Sequence, residues 1–369
     1  MGLKVQKGNC NMDTELPHEG TSPDPKLWLA MTKAQRIDMV EHILIKHERF
    51  NTLYERIDYC ARFGTEIETK NPPCLAILGN TGAGKTTLVD TWLANAPLHP
   101  METPEGSIIP YLYVLVPSSP KKKGAVAAIL RALHDPNPSR GTEWDMILRV
   151  HNLIKRCKVK MIFVDEFQHL MDKDTQQVVH AIADFLKDII NQAHVPMVLT
   201  GKLGEAEPIL IANDQLDRHV GTPLILEPFE WDRSRPETIK EFRTLMRDID
   251  RALPLDLSDL QNEEMAFRFY YASDGYLGWI MEIIREAAIR AIDTDCHCLN
   301  MPLLAAAYEA RLAGTEVGDG KVNPFSTAKF TEATVDQLRF VAKKRRGSGK
   351  PTVSKQKGRS KKAPNKRAS

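Results

Sequence analysis

Two spacings of apolar residues alternate along this chain. Between residues 74 and 226, short apolar runs at 74–78, 111–116, 160–164, 195–200 and 224–226 are separated by longer stretches whose apolar positions recur every three or four residues. Runs this short, with helical stretches between them, predict strands of a parallel sheet covered by helices, with a helix after each of the first four. Before the first strand, Leu27, Trp28, Met31, Ile37, Val40, Ile43 and Leu44 recur at helical spacing, as do Phe50, Leu53, Tyr54, Ile57 and Ala61. Both stretches read as packing surfaces. Beyond Trp231 only the helical period remains, over 238–250, 262–273, 278–292 and 302–313, and predicts a small helical domain attached to the sheet domain.

The chain has 369 residues, enough to bury a core without covalent staples. Cys10, Cys60, Cys74, Cys157, Cys296 and Cys298 are scattered, the usage of reduced thiols. Cys296-His297-Cys298 lacks a second ligand pair at zinc-finger spacing and reads as a polar turn. No apolar run approaches the roughly 18 residues of a membrane span, and the polar start lacks the apolar stretch of a secretory signal. A cytoplasmic location without a membrane partner is the expectation.

The net charge of +2 hides an asymmetry. Residues 341–369 contain 12 Lys or Arg and no Asp or Glu, which leaves 38 basic against 48 acidic residues elsewhere, a body of net −10. The Gly, Ser, Pro and Lys content of that tail predicts disorder, and its charge suits a polyanion or an acidic protein face. Boundaries follow from these shifts: a flexible leader over 1–25, an N-terminal helical extension over 26–70, an α/β domain over 71–231, a helical domain over 232–315, a segment over 316–340 and the basic tail over 341–369.

The first strand runs into Gly79-Asn80-Thr81-Gly82-Ala83-Gly84-Lys85-Thr86, which matches G-x-x-x-x-G-K-[ST] and precedes a helical run that begins at Thr87. Glycines let the backbone N–H groups curl around phosphates, and the following helix adds the positive end of its dipole. Lys85 is placed for the β- and γ-phosphates of ATP and Thr86 for magnesium. About eighty residues on, Met161-Ile162-Phe163-Val164 ends in Asp165-Glu166, a Walker B pattern. There Asp165 reaches the magnesium shell and Glu166 polarises the attacking water.

Thr200 ends the fourth strand as a sensor 1 candidate facing the γ-phosphate or lytic water; a threonine that merely ends a strand fits the spacing nearly as well. Arg218, in Asn213-Asp214-Gln215-Leu216-Asp217-Arg218, is a candidate arginine finger for a neighbouring subunit, with a solvated surface arginine as the alternative. Lys121-Lys122-Lys123, after the second strand, gains meaning only in an assembly whose channel holds a phosphate backbone, where Ser118 and Ser119 add neutral contacts.

LAILGNTGAGKTTLVDTW, MIFVDEFQHL, VPMVLTGKLGEAEPIL, NDQLDR, DGYLGWIMEIIREAA and the late Asn323-Pro324-Phe325 together resemble the TniB/TnsC branch of AAA+ ATPases, regulators of target choice in bacterial DNA transposition. The resemblance covers roughly residues 25–330. It implies an AAA+ P-loop NTPase with a parallel five-stranded sheet and a small C-terminal helical lid. It also implies an ATP-dependent homo-oligomer, ring or helical filament, around double-stranded DNA, which links a target-selection protein of TniQ or TnsD type to the transposase. ATP and magnesium would switch assembly, with hydrolysis through Glu166 loosening an interface completed by Arg218.

Two positions depart from relatives. Trp279 follows Gly278 where many AAA+ proteins offer a sensor 2 arginine, with Arg285 about two turns on, and His219 follows Arg218 where two arginines often stand. A nucleotide-switched scaffold or signalling ATPase without a DNA role is the alternative function, and a translocating motor is a third. No D…D…E nuclease constellation on an RNase H-like strand pattern is apparent, so strand cleavage is expected of a partner.

Overall fold

A computed structural model describes residues 27–334 of the protein, apart from 68, 70, 118–121, 171–175 and 213. The leader and the basic tail lie outside the described residues, as do Ser118, Ser119, Lys121 and Asn213. The five expected strands form one parallel sheet. β1 (Leu75–Leu78) lies between β6 (Met197–Gly201) and β7 (Leu224–Ile225), while β5 (Met161–Asp165) lies between β6 and the edge strand β4 (Tyr111–Leu115). A hairpin of β2 (Met101–Thr103) and β3 (Gly106–Ile108), which the apolar spacing does not announce, precedes β4.

Alternation along β1 sorts the two faces of the sheet. Ala76 and Leu78 join a cluster with Ile162, Val164 and Leu199 under α4 (Lys122–Ala132), α5 (Glu143–Arg156) and α6 (Gln176–Ala193). Leu75 and Ile77 join Phe163 and Val198 on the opposite face, under α2 (Glu48–Thr65) and α3 (Lys85–Ala94). There Trp92 is fully buried and donates its indole N–H to Asp58 at 2.6 Å, so α3 is fixed against α2 by both apolar area and one polar bond.

The helical region comprises α9 (Pro236–Ala252), α10 (Glu263–Ser273), α11 (Leu277–Asp293) and α12 (Met301–Arg311) around a core of its own. Asn262 and Asn300 cap α10 and α12 by accepting backbone N–H groups, and so set where those helices begin. Asn323-Pro324-Phe325 belongs to this core: Phe325 is buried with its ring 5.0 Å from Phe269, and Arg268 donates to the Pro324 carbonyl. That motif is a structural seam of the lid.

The N-terminal extension divides between the two cores. A capping box at Thr32 starts α1 (Lys33–Glu41), whose Val40 packs with the lid, and Arg36 donates to Pro254 O at 3.1 Å. The helical spacing carries through Ile43 and Leu44, but α1 ends at Glu41 and residues 43–47 belong to no helix or strand. Among the described residues beyond Ser326, Thr331 N–H is accepted by the Thr334 hydroxyl at 3.2 Å.

Candidate functional site

Sheet geometry builds the centre of the site. β1 ends at Leu78, and Gly79 N–H bonds Gly201 O at 3.1 Å, which ties the loop to the end of β6. Gly82 and Gly84 hold φ of 81° and 100°, the left-handed region in which side chains are strained, and α3 opens at Lys85. Lys85 is only 6% exposed, with Nζ donating to Gly79 O at 2.7 Å and Asn80 O at 3.3 Å. Burial pushes its ammonium below the ordinary lysine value, while Glu166 and Asp165 pull it back up. Phosphate oxygens would compete for the same donor. Thr81, Thr86 and Thr87 are exposed around this loop.

Asp165 ends β5 as a fully buried carboxylate ringed by donors. The Thr86 hydroxyl reaches its Oδ2 at 3.1 Å and the Tyr113 hydroxyl at 2.8 Å, while Thr200 and the Glu166 N–H donate to Oδ1, the latter at 2.9 Å. Burial and the bond to Asp165 push the Tyr113 phenol well above its ordinary value. Thr86 and Asp165 thus form an adjacent hydroxyl and carboxylate pair of oxygens, a donor set that fits magnesium. The Thr200 hydroxyl thus stands at the end of β6 bonded to Asp165, beside the Thr86 and Tyr113 hydroxyls.

Glu166 adopts a left-handed backbone, φ 56°, which is strained for a residue with a side chain. Its Oε2 accepts from Gln168 Nε2 at 2.5 Å and lies 3.6 Å from His169 Nε2.

The lid touches the phosphate loop directly. Gly278 N–H bonds Gly82 O at 2.8 Å, and Asn80 Nδ2 donates to the Tyr276 hydroxyl at 2.6 Å. A Cβ on Gly82 would lie 2.8 Å from the Trp279 indole nitrogen, so glycine is required there by contact as well as by φ. The Trp279 indole N–H and Arg285 Nε are buried and have no hydrogen-bond partner among the described residues. Arg285 also lines an apolar cleft with Ile43, Ile45, Phe50, Gly84 and Met281, between the N-terminal strap, the phosphate loop and the lid. His47 borders the same cleft, and burial followed by the charge of Arg49 pushes its imidazole down to about 4. The periodic spacing that marked 43–44 as helical conceals this lining.

Arg218 is exposed on α8 (Asp214–Val220), at the opposite end of β1 from the phosphate loop. His219 O accepts Cys74 N–H at 3.0 Å just before β1 begins. A strand of four residues separates the two ends by roughly 13 Å, so Arg218 is not part of its own subunit's phosphate cluster. Lys122 opens α4 paired with Glu143 at 2.9 Å, leaving Lys123 as the exposed cation of the described pair. No cluster of three or more His, Cys, Asp or Glu fit to hold a metal occurs among the described residues, and no described helix is long and apolar enough to cross a membrane.

A five-stranded parallel sheet with a phosphate loop after its inner strand, an acidic pair after the neighbouring strand but one and a helical lid defines an AAA+ P-loop ATPase. Solved structures agree on the fold. The Aeropyrum pernix ORC1 protein, in complex with DNA, is 15% identical with a TM-score of 0.53, over 74% of this chain and 69% of that one. CDC6P from Pyrobaculum aerophilum is 12% identical with a TM-score of 0.53, over 76% and 72%. The Aeropyrum pernix ORC2 protein, in ADPNP-ADP complexes, is 15% identical with a TM-score of 0.51, over 84% and 78%. No curated protein matches the chain. The model of the family described as "Bacterial TniB protein" matches residues 36–221, and the chain belongs to that family.

Proposed function

We propose that the protein is an ATP-dependent regulator of DNA transposition that oligomerises on double-stranded DNA and links a target-selection protein to the transposase. The observation that carries this reading is the convergence of Lys85, Thr86, Asp165 and Glu166 at the lid-covered phosphate loop of a chain in the TniB family. In this reading the loop N–H groups and Lys85 bind the triphosphate, and the apolar cleft at Ile43, Ile45 and Met281 receives the base. Thr86 and Asp165 would hold magnesium, which neutralises developing charge on the phosphates.

Glu166 takes a proton from water as the water oxygen bonds the terminal phosphorus and the bond to the ADP oxygen breaks. Arg218 completes the site of the next subunit. Hydrolysis then weakens the interface and releases the assembly from DNA.

Electron microscopy of the protein with duplex DNA and ATP, a non-hydrolysable analogue or ADP tests this. Rings or filaments that need triphosphate, and that Lys85→Ala abolishes, are expected. A protein that stays off DNA in every nucleotide state sinks the DNA role and leaves a nucleotide-switched scaffold.

A further inference from the structure

Two residues past the candidate base, Gln168 is 5% exposed and bonded at both ends of its side chain. Its Nε2 donates to Glu166 Oε2 at 2.5 Å, and its Oε1 accepts the backbone N–H of Lys202 at 3.0 Å. The two partners fix which end is which. A flipped amide would set oxygen against carboxylate and N–H against N–H.

Lys202 directly follows β6, at the head of the segment that runs through α7 (Glu207–Ile211) to α8 and Arg218. One buried amide therefore joins the carboxylate proposed to activate water to the chain that carries the residue proposed to reach the next subunit. The anchor on Lys202 is main chain, so the amide cannot follow Glu166 if that side chain turns toward the phosphates. A lone pair on Oε2 directed at an amide N–H is also withheld from a water proton.

We propose that Gln168 is a positioning residue that restrains Glu166 and releases it when the β6 exit shifts. The rate of hydrolysis is thereby tied to the segment bearing Arg218. The inference rests on the ATPase reading above and adds to it a restraint internal to the acidic motif.

Steady-state ATPase assays and binding of a fluorescent ATP analogue on wild type, Gln168→Met, Gln168→Ala and Glu166→Gln test it. Methionine keeps the buried volume and removes both polar bonds, so it guards against a loss of folding in the alanine variant. Gln168→Met should raise kcat about tenfold, the size of effect a hydrogen bond to a charged group can supply, with nucleotide affinity and melting temperature close to wild type. A kcat that falls toward that of Glu166→Gln overturns the restraint and makes Gln168 an aid to chemistry. An unchanged kcat overturns it too, reducing Gln168 to a buried polar filler. If wild type and Glu166→Gln hydrolyse ATP equally, the role of Glu166 itself fails, which is a separate outcome read from a separate pair.

Discussion

The two ends of β1 are built on opposite principles. At its C-terminal end the groups proposed for the chemistry are bonded within the subunit: Lys85 to its own loop, Asp165 to three hydroxyls, Glu166 to Gln168. At its N-terminal end Arg218 stands exposed beside a cleft lined by Pro72, Pro73 and Asn191. A site whose groups satisfy one another can be assembled by one chain, whereas a lone exposed guanidinium gains a strong partner only from another molecule. The contrast makes one end the proposed place of chemistry and the other the proposed place of assembly.

Four outcomes would break or sharpen that contrast. Lys85→Ala should lower ATPase activity by at least about a hundredfold, since it removes the buried ammonium from the phosphate loop, while the melting temperature shows the fold intact. Arg218→Ala should cost about a hundredfold in kcat, and equal mixing with Glu166→Gln should restore activity, because a mixed interface joins Glu166 of one subunit to Arg218 of the other. No restoration on mixing would place Arg218 outside the shared site. Gly82→Ala should weaken binding of a fluorescent ATP analogue about tenfold, because its Cβ meets Trp279 and its φ of 81° is strained with a side chain. An unaltered affinity would show that the contact between lid and loop opens without consequence.

The smallest effect concerns pH. His47 caps α2 through Nδ1, which accepts Phe50 N–H at 3.3 Å, and its folded value of about 4 lies below the 6.5 of an unperturbed imidazole. The unfolded chain takes up this proton first as pH falls. The stability His47 contributes is therefore fully present above about pH 6.5, and it is lost progressively as pH falls through about 4. Melting curves from pH 7 to 4 should show His47→Asn, which keeps a capping side chain, losing less stability over that window than wild type. Parallel curves would mean that another group governs acid sensitivity.

Much of the architecture was legible because the relevant signals are local. Period-2 and continuous apolar runs give strands wherever both faces are covered, and all five strands fall within two residues of their expected ends. The lid helices were equally readable, since Asn262 and Asn300 mark their starts by capping. The β2–β3 hairpin was not, because three-residue strands with mostly exposed side chains leave no apolar pattern. The apolar cleft escaped for another reason: Ile43 and Ile45 carry the same apolar character whether they pack a helix or line a cavity.

The sequence by itself determined the phosphate loop and the acidic pair, since a backbone that must curl around phosphates needs glycines at fixed spacing and a strand end needs its carboxylate next in line. Only the tertiary structure decided that Tyr113 and Thr200 both donate to Asp165, that Gln168 joins Glu166 to Lys202, and that Trp279 lies against Gly82. These pairs come from different strands and helices. Their meeting depends on the order in which the sheet places β4, β5, β6 and β1, and on how the lid closes over β1, which no spacing along the chain records.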